Sequence, residues 1–423
     1  MIDLNKIHLK ICKVDSLPFA KYAVITGVDF LGVHVIHQSN LNEKKNLSIC
    51  NYINILGGRP IIVTKIEDFA TLQNLIKLYK PYGIQLHYEA TRSLIDQIRK
   101  WFPDLKVFTV ITDSLTYSDA INLIEYGDLT IYDTSFEGGT GKTNQKKLLA
   151  RFSDNVKKKL LIAGGVDNNM IKIHDKTGIF GFDVQSFIRR EDNIDYHLID
   201  VLLKSLGRRA SGSLSMSITK TILSKQQVFD YYINNPITDF HIDVSDGTLY
   251  GDFNTDKASI AEKLAMFNSL GVPYSIHFFS SRDYRELIDE YLSGITNNPT
   301  RIFLQYAGEP ILSENMQINL QSRLILSVHH ADLYNIVDSQ KDFRYDKISF
   351  GLASDSTNDD KFLELIKEHF IDNRTTELWF DKDLNLERVG KIKEYFNEFN
   401  AIIGKYFLLN KENISKVYEI INE

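Results

Sequence analysis

The chain has 423 residues, 43% hydrophobic and 25% charged, the proportions of an ordinary globular protein. A net charge of -6 gives no basic footprint for nucleic acid, and no apolar run approaches the ~18 to 20 residues needed to span a bilayer. MIDLNKIHLKIC lacks the apolar stretch of a secretion signal, and two cysteines, Cys12 and Cys50, cannot build a disulfide framework, so the expectation is a cytoplasmic protein with no membrane partner.

Short β-rich runs alternate with stretches of helical period along the whole chain. In the first half the runs are IHLKIC, DFLGVHVI, RPIIVTKI, GIQLHYEA, KVFTVIT, DLTIYDT, KKLLIAGGV and GIFGFDVQS. In the second half they are SLSMSIT, DFHIDVSDG, PYSIHFFSS, TRIFLQYA, SRLILSVHH, DKISFGLAS, TELWFDKD and NAIIGKYFLL. Between them, sets such as Phe69, Leu72, Leu75, Ile76, Tyr79 and Phe362, Leu365, Ile366, Phe370 mark amphipathic helices. Alternating strands and helices imply parallel sheet. Eight units per half predict an α/β protein of two tandem (β/α)8 TIM barrels, residues 1–206 and 213–423, with a seam at SLGRRASGS, Ser205 to Ser213. In such barrels chemistry sits at the C-terminal ends of the strands, so polar residues there are the candidates.

In the first half, FEGGTGKT invites a phosphate-binding P-loop, but that pattern needs glycine where Phe136 stands. Lys10-Ile11-Cys12, IQLH from Ile84 to His87, Asp133 followed by GGTGK from Gly138 to Lys142, Ala163-Gly164-Gly165 and FDVQSF from Phe182 to Phe187 together resemble phosphoribosylanthranilate isomerase over roughly residues 7 to 190. The resemblance implies that Cys12 is the general base that takes a proton from C2 of an aminoaldose, and that Asp133 is the acid that opens its ring. It further implies that Gly139, Gly141, Gly164, Gly165, Asp183 and Ser186 hold substrate and phosphate, with no cofactor. A cysteine base calls for a lowered pKa, whereas a lone cysteine is most often a small buried apolar group. Two departures stand out. The loop after the second strand, HQSNLNEKKN, carries no arginine where the family uses one for the anthranilate carboxylate, and Phe187 replaces a glycine. Arg189 and Arg190 read as a basic surface.

In the second half, FHIDVSDG puts His241 and Asp243 on one face of a strand, because residues i and i+2 project together. His277 and Asp381 lie at the ends of two further strands. Two imidazoles and two carboxylates suit a divalent Zn, Mn, Fe or Co ion and are too nitrogen-rich for Ca or Mg. Each residue alone is more often a satisfied polar group. HIDVSDG, with His277 and Asp381, resembles ribulose-phosphate 3-epimerase from about Ser213 onward. The resemblance implies a metal held by His241, Asp243, His277 and Asp381, with Asp243 and Asp381 as the two acid/base groups on opposite faces of a ketose. It also implies Ser217 near the substrate and Gly404 in the phosphate cradle. Here Asp381 is followed by Lys382-Asp383 rather than two glycines, and GLASDST replaces a glycine-rich loop.

These readings predict a bifunctional isomerase and epimerase that moves protons on sugar phosphates, with a small-molecule partner and a homo-oligomer left open. Two alternatives remain: phosphoribosylanthranilate isomerase of tryptophan synthesis with a supporting barrel, or one barrel degenerate and serving as a ligand-binding scaffold.

Overall fold

A computed structural model describes residues 6–133, 150, 152–174, 177–208, 212–249, 254–295, 298–306, 323–338, 347–352, 359–370 and 377–423. By contact the chain divides into two compact units, Met1–Ile194 with Leu198–Ala210, and Asp195–His197 with Ser211–Glu423.

The first unit holds a closed parallel barrel. Its strands are β1 (His8–Ile11), β2 (Phe30–His34), β3 (Pro60–Thr64), β4 (Gly83–Leu86), β5 (Lys106–Ile111), β6 (Leu129–Tyr132), β7 (Leu160–Ile162) and β8 (Gly181–Val184). A two-residue pair, β9 (Arg189–Arg190) and β10 (Asn193–Ile194), follows as an antiparallel hairpin. The second unit closes a barrel of β11 (Leu214–Ser217), β12 (Asp239–Ser245), β13 (Tyr274–Phe279), β14 (Ile302–Gln305), β15 (Leu324–His329), β16 (Lys347–Gly351), β17 (Glu377–Asp381) and β18 (Asn400–Ile403). The two-barrel architecture read from the alternation of runs is the one observed.

The strands are short and almost wholly buried, as parallel strands covered by helices must be. The helices start where the sequence offers a side-chain acceptor. Asp68 takes the Thr71 N–H before Phe69–Tyr79, and Ser224 with Gln227 forms a capping box before Lys225–Asn234. One expected strand runs too long. NAIIGKYFLL stops being strand at Ile403, and Lys405–Leu409 is a short helix with Gly404 at its N-cap. An apolar run such as YFLL fits either period, and glycine before it decides the break.

Two groups of basic residues also differ from expectation. Arg189 is not surface decoration: its guanidinium donates to the Lys13 carbonyl at 2.7 Å and to Asp15 at 2.9 Å, clasping the loop after β8 to the loop after β1. Arg208, from the expected seam, pairs with Asp29 at 2.5 Å, and so belongs to the floor of the first barrel.

Inside the second barrel, Phe303, Ile325, Trp379 and Ile402 form a closed apolar plug. Below it Arg301 stacks on Trp379 at 4.7 Å and pairs with buried Asp239 at 3.1 Å. Above it, Phe303 meets the rings of His241 at 5.2 Å and His277 at 5.7 Å. The plug therefore forms a dry floor under the strand-end polar groups.

Candidate active sites

In the first barrel the strand ends bring Cys12, Lys10 and Asp183 into one cluster. Barrel closure pairs β1 with β8, and Lys10 and Asp183 are register partners in that ladder. The Lys10 ammonium donates to Asp183 Oδ2 at 2.8 Å and to Cys12 Sγ at 2.7 Å, while the thiol lies 3.5 Å from the same carboxylate oxygen. Lys10 is 0% exposed, Cys12 6% and Asp183 7%. Gly32, opposite on β2, leaves the room: a Cβ there would stand 2.8 Å from Cys12 Sγ and 3.2 Å from its Cα.

The thiol of Cys12 is not held low. Burial pushes it up to about 12, the Asp183 charge adds to that, and only Lys10 opposes. For Lys10, burial works against the ammonium, but the charges of Asp183 and Cys12 outweigh it and raise its pKa. His34, at the end of β2, is pushed down to about 3 by burial and then by Lys10, and its Nε2 has no hydrogen-bond partner among the described residues. Gln85 and His87 face each other at the end of β4, 3.1 Å apart.

Other expected residues of this half occupy separate strand ends. Asp133 follows β6 and is 7% exposed. Gly164 and Gly165 follow β7 with φ of 77° and 65°, a consecutive left-handed pair that side chains disfavour. Ser186 is exposed in the loop after β8. Gly139 and Gly141 lie outside the described residues. Lys10, Gly32 and His34 were not singled out from sequence as site residues. Lys10 and Cys12 share a strand face by the i, i+2 rule, which was the available signal.

In the second barrel His241, Asp243, His277 and Asp381 come together, one ligand atom from each lying within 4.8 Å of all the others. His241 Nε2 is 3.2 Å from Asp243 Oδ1, and His277 Nδ1 is 3.8 Å from Asp243 and 3.9 Å from Asp381. The neighbours orient these groups. Ser275 Oγ lies 2.9 Å from His241 Nδ1 and 3.4 Å from the Phe240 carbonyl. A hydroxyl that donates to that carbonyl can accept the Nδ1 proton, and Nε2 is turned toward Asp243. Asp243 Oδ2 accepts from Thr219 at 2.8 Å and from Ser217 at 3.3 Å, so Ser217 acts here on a carboxylate. Thr219 and Ser275 were not foreseen. Ser275 is visible only through register, as the partner of His241.

Both ring nitrogens of His277 are buried without hydrogen-bond partners among the described residues, and His241 Nε2 faces only the Asp243 carboxylate, at 3.2 Å. Buried nitrogens of this kind are costly unless something satisfies them. Lone pairs and carboxylates facing one another across a few ångströms fit one divalent cation. The carboxylates also differ from each other. Burial would raise Asp243, but His241 overcomes this and holds it down to about 2. Asp381 is pushed up to about 6 by burial, with the Asp243 charge adding to it. Burial pushes His277 down to about 3, leaving it neutral and able to ligate.

Beyond Asp381, Lys382 and Asp383 adopt left-handed φ of 68° and 52°. The Lys382 ammonium reaches His329 Nε2 at 3.1 Å. Gly351 on β16 is the register partner of both His329 and Asp381. Gly404 sits at the N-cap of the short helix after β18.

Residues 9–204 match the family of N-(5'-phosphoribosyl)anthranilate (PRA) isomerase. Among curated proteins, the chain is 26% identical over 202 residues to N-(5'-phosphoribosyl)anthranilate isomerase of Crocosphaera subtropica, covering 43% of this chain and 90% of that protein. It is 29% identical over 190 residues to the tryptophan biosynthesis protein TrpCF of Haemophilus influenzae, covering 42% of this chain and 38% of that one. A solved N-(5'-phosphoribosyl)anthranilate isomerase from Pyrococcus furiosus aligns with a TM-score of 0.37 at 21% identity, over 48% of this chain and 98% of that one. The family matched by the N-terminal barrel is one of isomerases. Among the described residues no helix is long and apolar enough to cross a membrane.

Proposed function

We propose that the chain is a bifunctional isomerase of sugar phosphates. The N-terminal barrel converts an aldose or aminoaldose phosphate to a 2-ketose, and the C-terminal barrel is a metal-dependent ketose-phosphate 3-epimerase. For the first barrel the reading rests on the PRA isomerase match over residues 9–204, with Cys12 and Asp133 at strand ends of that same barrel. Cys12 takes the proton from C2, Asp133 gives one to the ring oxygen, and the left-handed glycines Gly164 and Gly165 present N–H groups to the phosphate. Anthranilate itself is less favoured as a substituent, because the loop after β2 supplies no arginine for its carboxylate.

For the second barrel the observation that carries the reading is the convergence of His241, Asp243, His277 and Asp381 with unsatisfied buried nitrogens. Inverting a carbon next to a carbonyl requires removal of a proton on one face and delivery on the other, hence two acid/base groups. Asp243 and Asp381, on strands β12 and β17, are those groups. A divalent cation bound by the four side chains supplies a Lewis acid for charge that develops on the substrate oxygens. Ser217 and Thr219 hold Asp243 in place, and the Phe303 floor excludes water. Lys382 meets the anionic end of the substrate in place of a glycine cradle.

The test is exchange in D₂O with the full chain, a divalent metal and a panel of pentulose and hexulose phosphates. Deuterium should enter C3, and Asp243→Asn or Asp381→Asn should slow entry by roughly 10²- to 10⁴-fold, while Cys12→Ala leaves it unchanged. Absence of label from every ketose phosphate tried removes the epimerase assignment.

A further inference from the structure

Lys10 is a fully buried lysine whose ammonium is shared between a thiol and a carboxylate. The carboxylate is only half used. Asp183 Oδ2 takes Lys10 at 2.8 Å, whereas Oδ1 is buried and has no hydrogen-bond partner among the described residues. An unsatisfied buried acceptor at the mouth of a barrel waits for a donor from a ligand. Gly32 keeps the opposite wall open beside Cys12 and Lys10, its missing Cβ lying 3.3 Å from Lys10 Nζ.

We propose that Lys10 is a positioning residue that couples ligand binding at Asp183 to the proton affinity of Cys12. A hydroxyl or protonated amine of the ligand donates to Asp183 Oδ1, and the shared ammonium then serves the sulfur as thiolate. The inference rests on the reading of Cys12 as a base, and explains how a thiol that burial disfavours as an anion becomes one only in the complex. The thiol proton leaves to solvent as the ligand binds, and the Lys10 charge compensates the thiolate. The charged and titratable groups facing Cys12 and Lys10 are Asp183 from β8 and His34 from β2. Lys13, His87 and Arg189 act on His34, which stays neutral through the working range.

The test needs no substrate. In the full chain, alkylation of Cys12 by iodoacetamide is followed against pH by peptide mapping, which separates it from Cys50. Asp183→Asn removes the competing anion and stands in for the liganded state. It should speed Cys12 alkylation at pH 8 by about tenfold, the change expected for one pKa unit. Lys10→Met should slow it by at least about the same factor, and Lys10→Arg should restore most of the rate. If Lys10→Met does not fold, the other two variants decide. Circular dichroism establishes that each variant is folded. Equal rates in all folded variants, or Asp183→Asn slower than wild type, overturn the coupling. Alkylation reports the coupling whether or not the barrel turns over, so failure of the isomerase reading, seen as unchanged turnover in Cys12→Ala, is distinguishable.

Discussion

Asp243 and His277 are cross-strand partners, paired in the β12–β13 ladder with His277 Nδ1 3.8 Å from Asp243 Oδ1. Their spacing is therefore set by backbone hydrogen bonds rather than by side-chain choice alone. His241 obeys the same logic through Ser275, its partner in that ladder. Asp381 is carried in by β17, whose register with β16 sets it opposite Gly351. Placement on strand ends fixes these side chains through the ladder, the preorganisation that the proposed proton transfer needs.

Gly32→Ala tests the first cluster. The added methyl would lie 2.8 Å from Cys12 Sγ and 3.2 Å from Cys12 Cα, the latter an atom that cannot swing away. The variant should lose the activity of the N-terminal barrel and about 1–3 kcal/mol of stability in denaturant titration, with metal binding by the second barrel unchanged. Full activity in Gly32→Ala would mean that Cys12 has freedom the packing denies it.

Asp29 gives a pH signature to the floor of the first barrel. Burial would raise its carboxyl, but His8 and Arg208, with the Leu9 N–H, hold it well below the usual range. A depressed folded-state pKa gives stability that is present above the ordinary carboxylate value and is lost as pH falls below it. Asp29→Asn should cost about 3 kcal/mol at pH 7, the scale of a broken buried pair. The gap to wild type should narrow steadily below about pH 4. A gap that stays constant from pH 7 to pH 3 would contradict this account.

The barrels and the convergence of His241, Asp243, His277 and Asp381 were legible in the sequence, because alternating strands and helices imply a barrel and polar residues at its strand ends meet at one mouth. Apolar runs marked the strands, and HID put His241 and Asp243 on one face. Lys10 shows where that reading stops. Its place on the inner face was available from its spacing to Cys12, but its partner Asp183 lies 173 residues away and arrives only when β8 closes on β1. Arg189 read as surface charge and Arg208 as part of a seam because their partners, Asp15, Asp29 and backbone carbonyls, are equally distant. The thiol of Cys12 likewise could not be assigned a proton affinity, since burial dominates it.

Lys382 separates charge from strain. Its left-handed φ of 68° is unusual for a side chain and costs of order 1–3 kcal/mol. Lys382→Gly should raise stability while weakening the binding of phosphorylated substrate, read as a KM about tenfold higher for one lost charge contact of roughly 1.4 kcal/mol, with kcat little changed. Lys382→Ala should weaken binding equally without the gain in stability. An unchanged KM in both variants removes Lys382 from the anion-binding role.

The most direct test of the central claim is metal titration of the chelator-treated full chain by calorimetry with Zn, Mn and Co. The account predicts one tight site per chain in wild type, and His277→Ala or Asp243→Asn should weaken it at least about tenfold, as loss of a ligand or its support does, while Cys12→Ala leaves it intact. Binding that is absent, or that survives His277→Ala unchanged, would contradict a metal centre at the mouth of the second barrel.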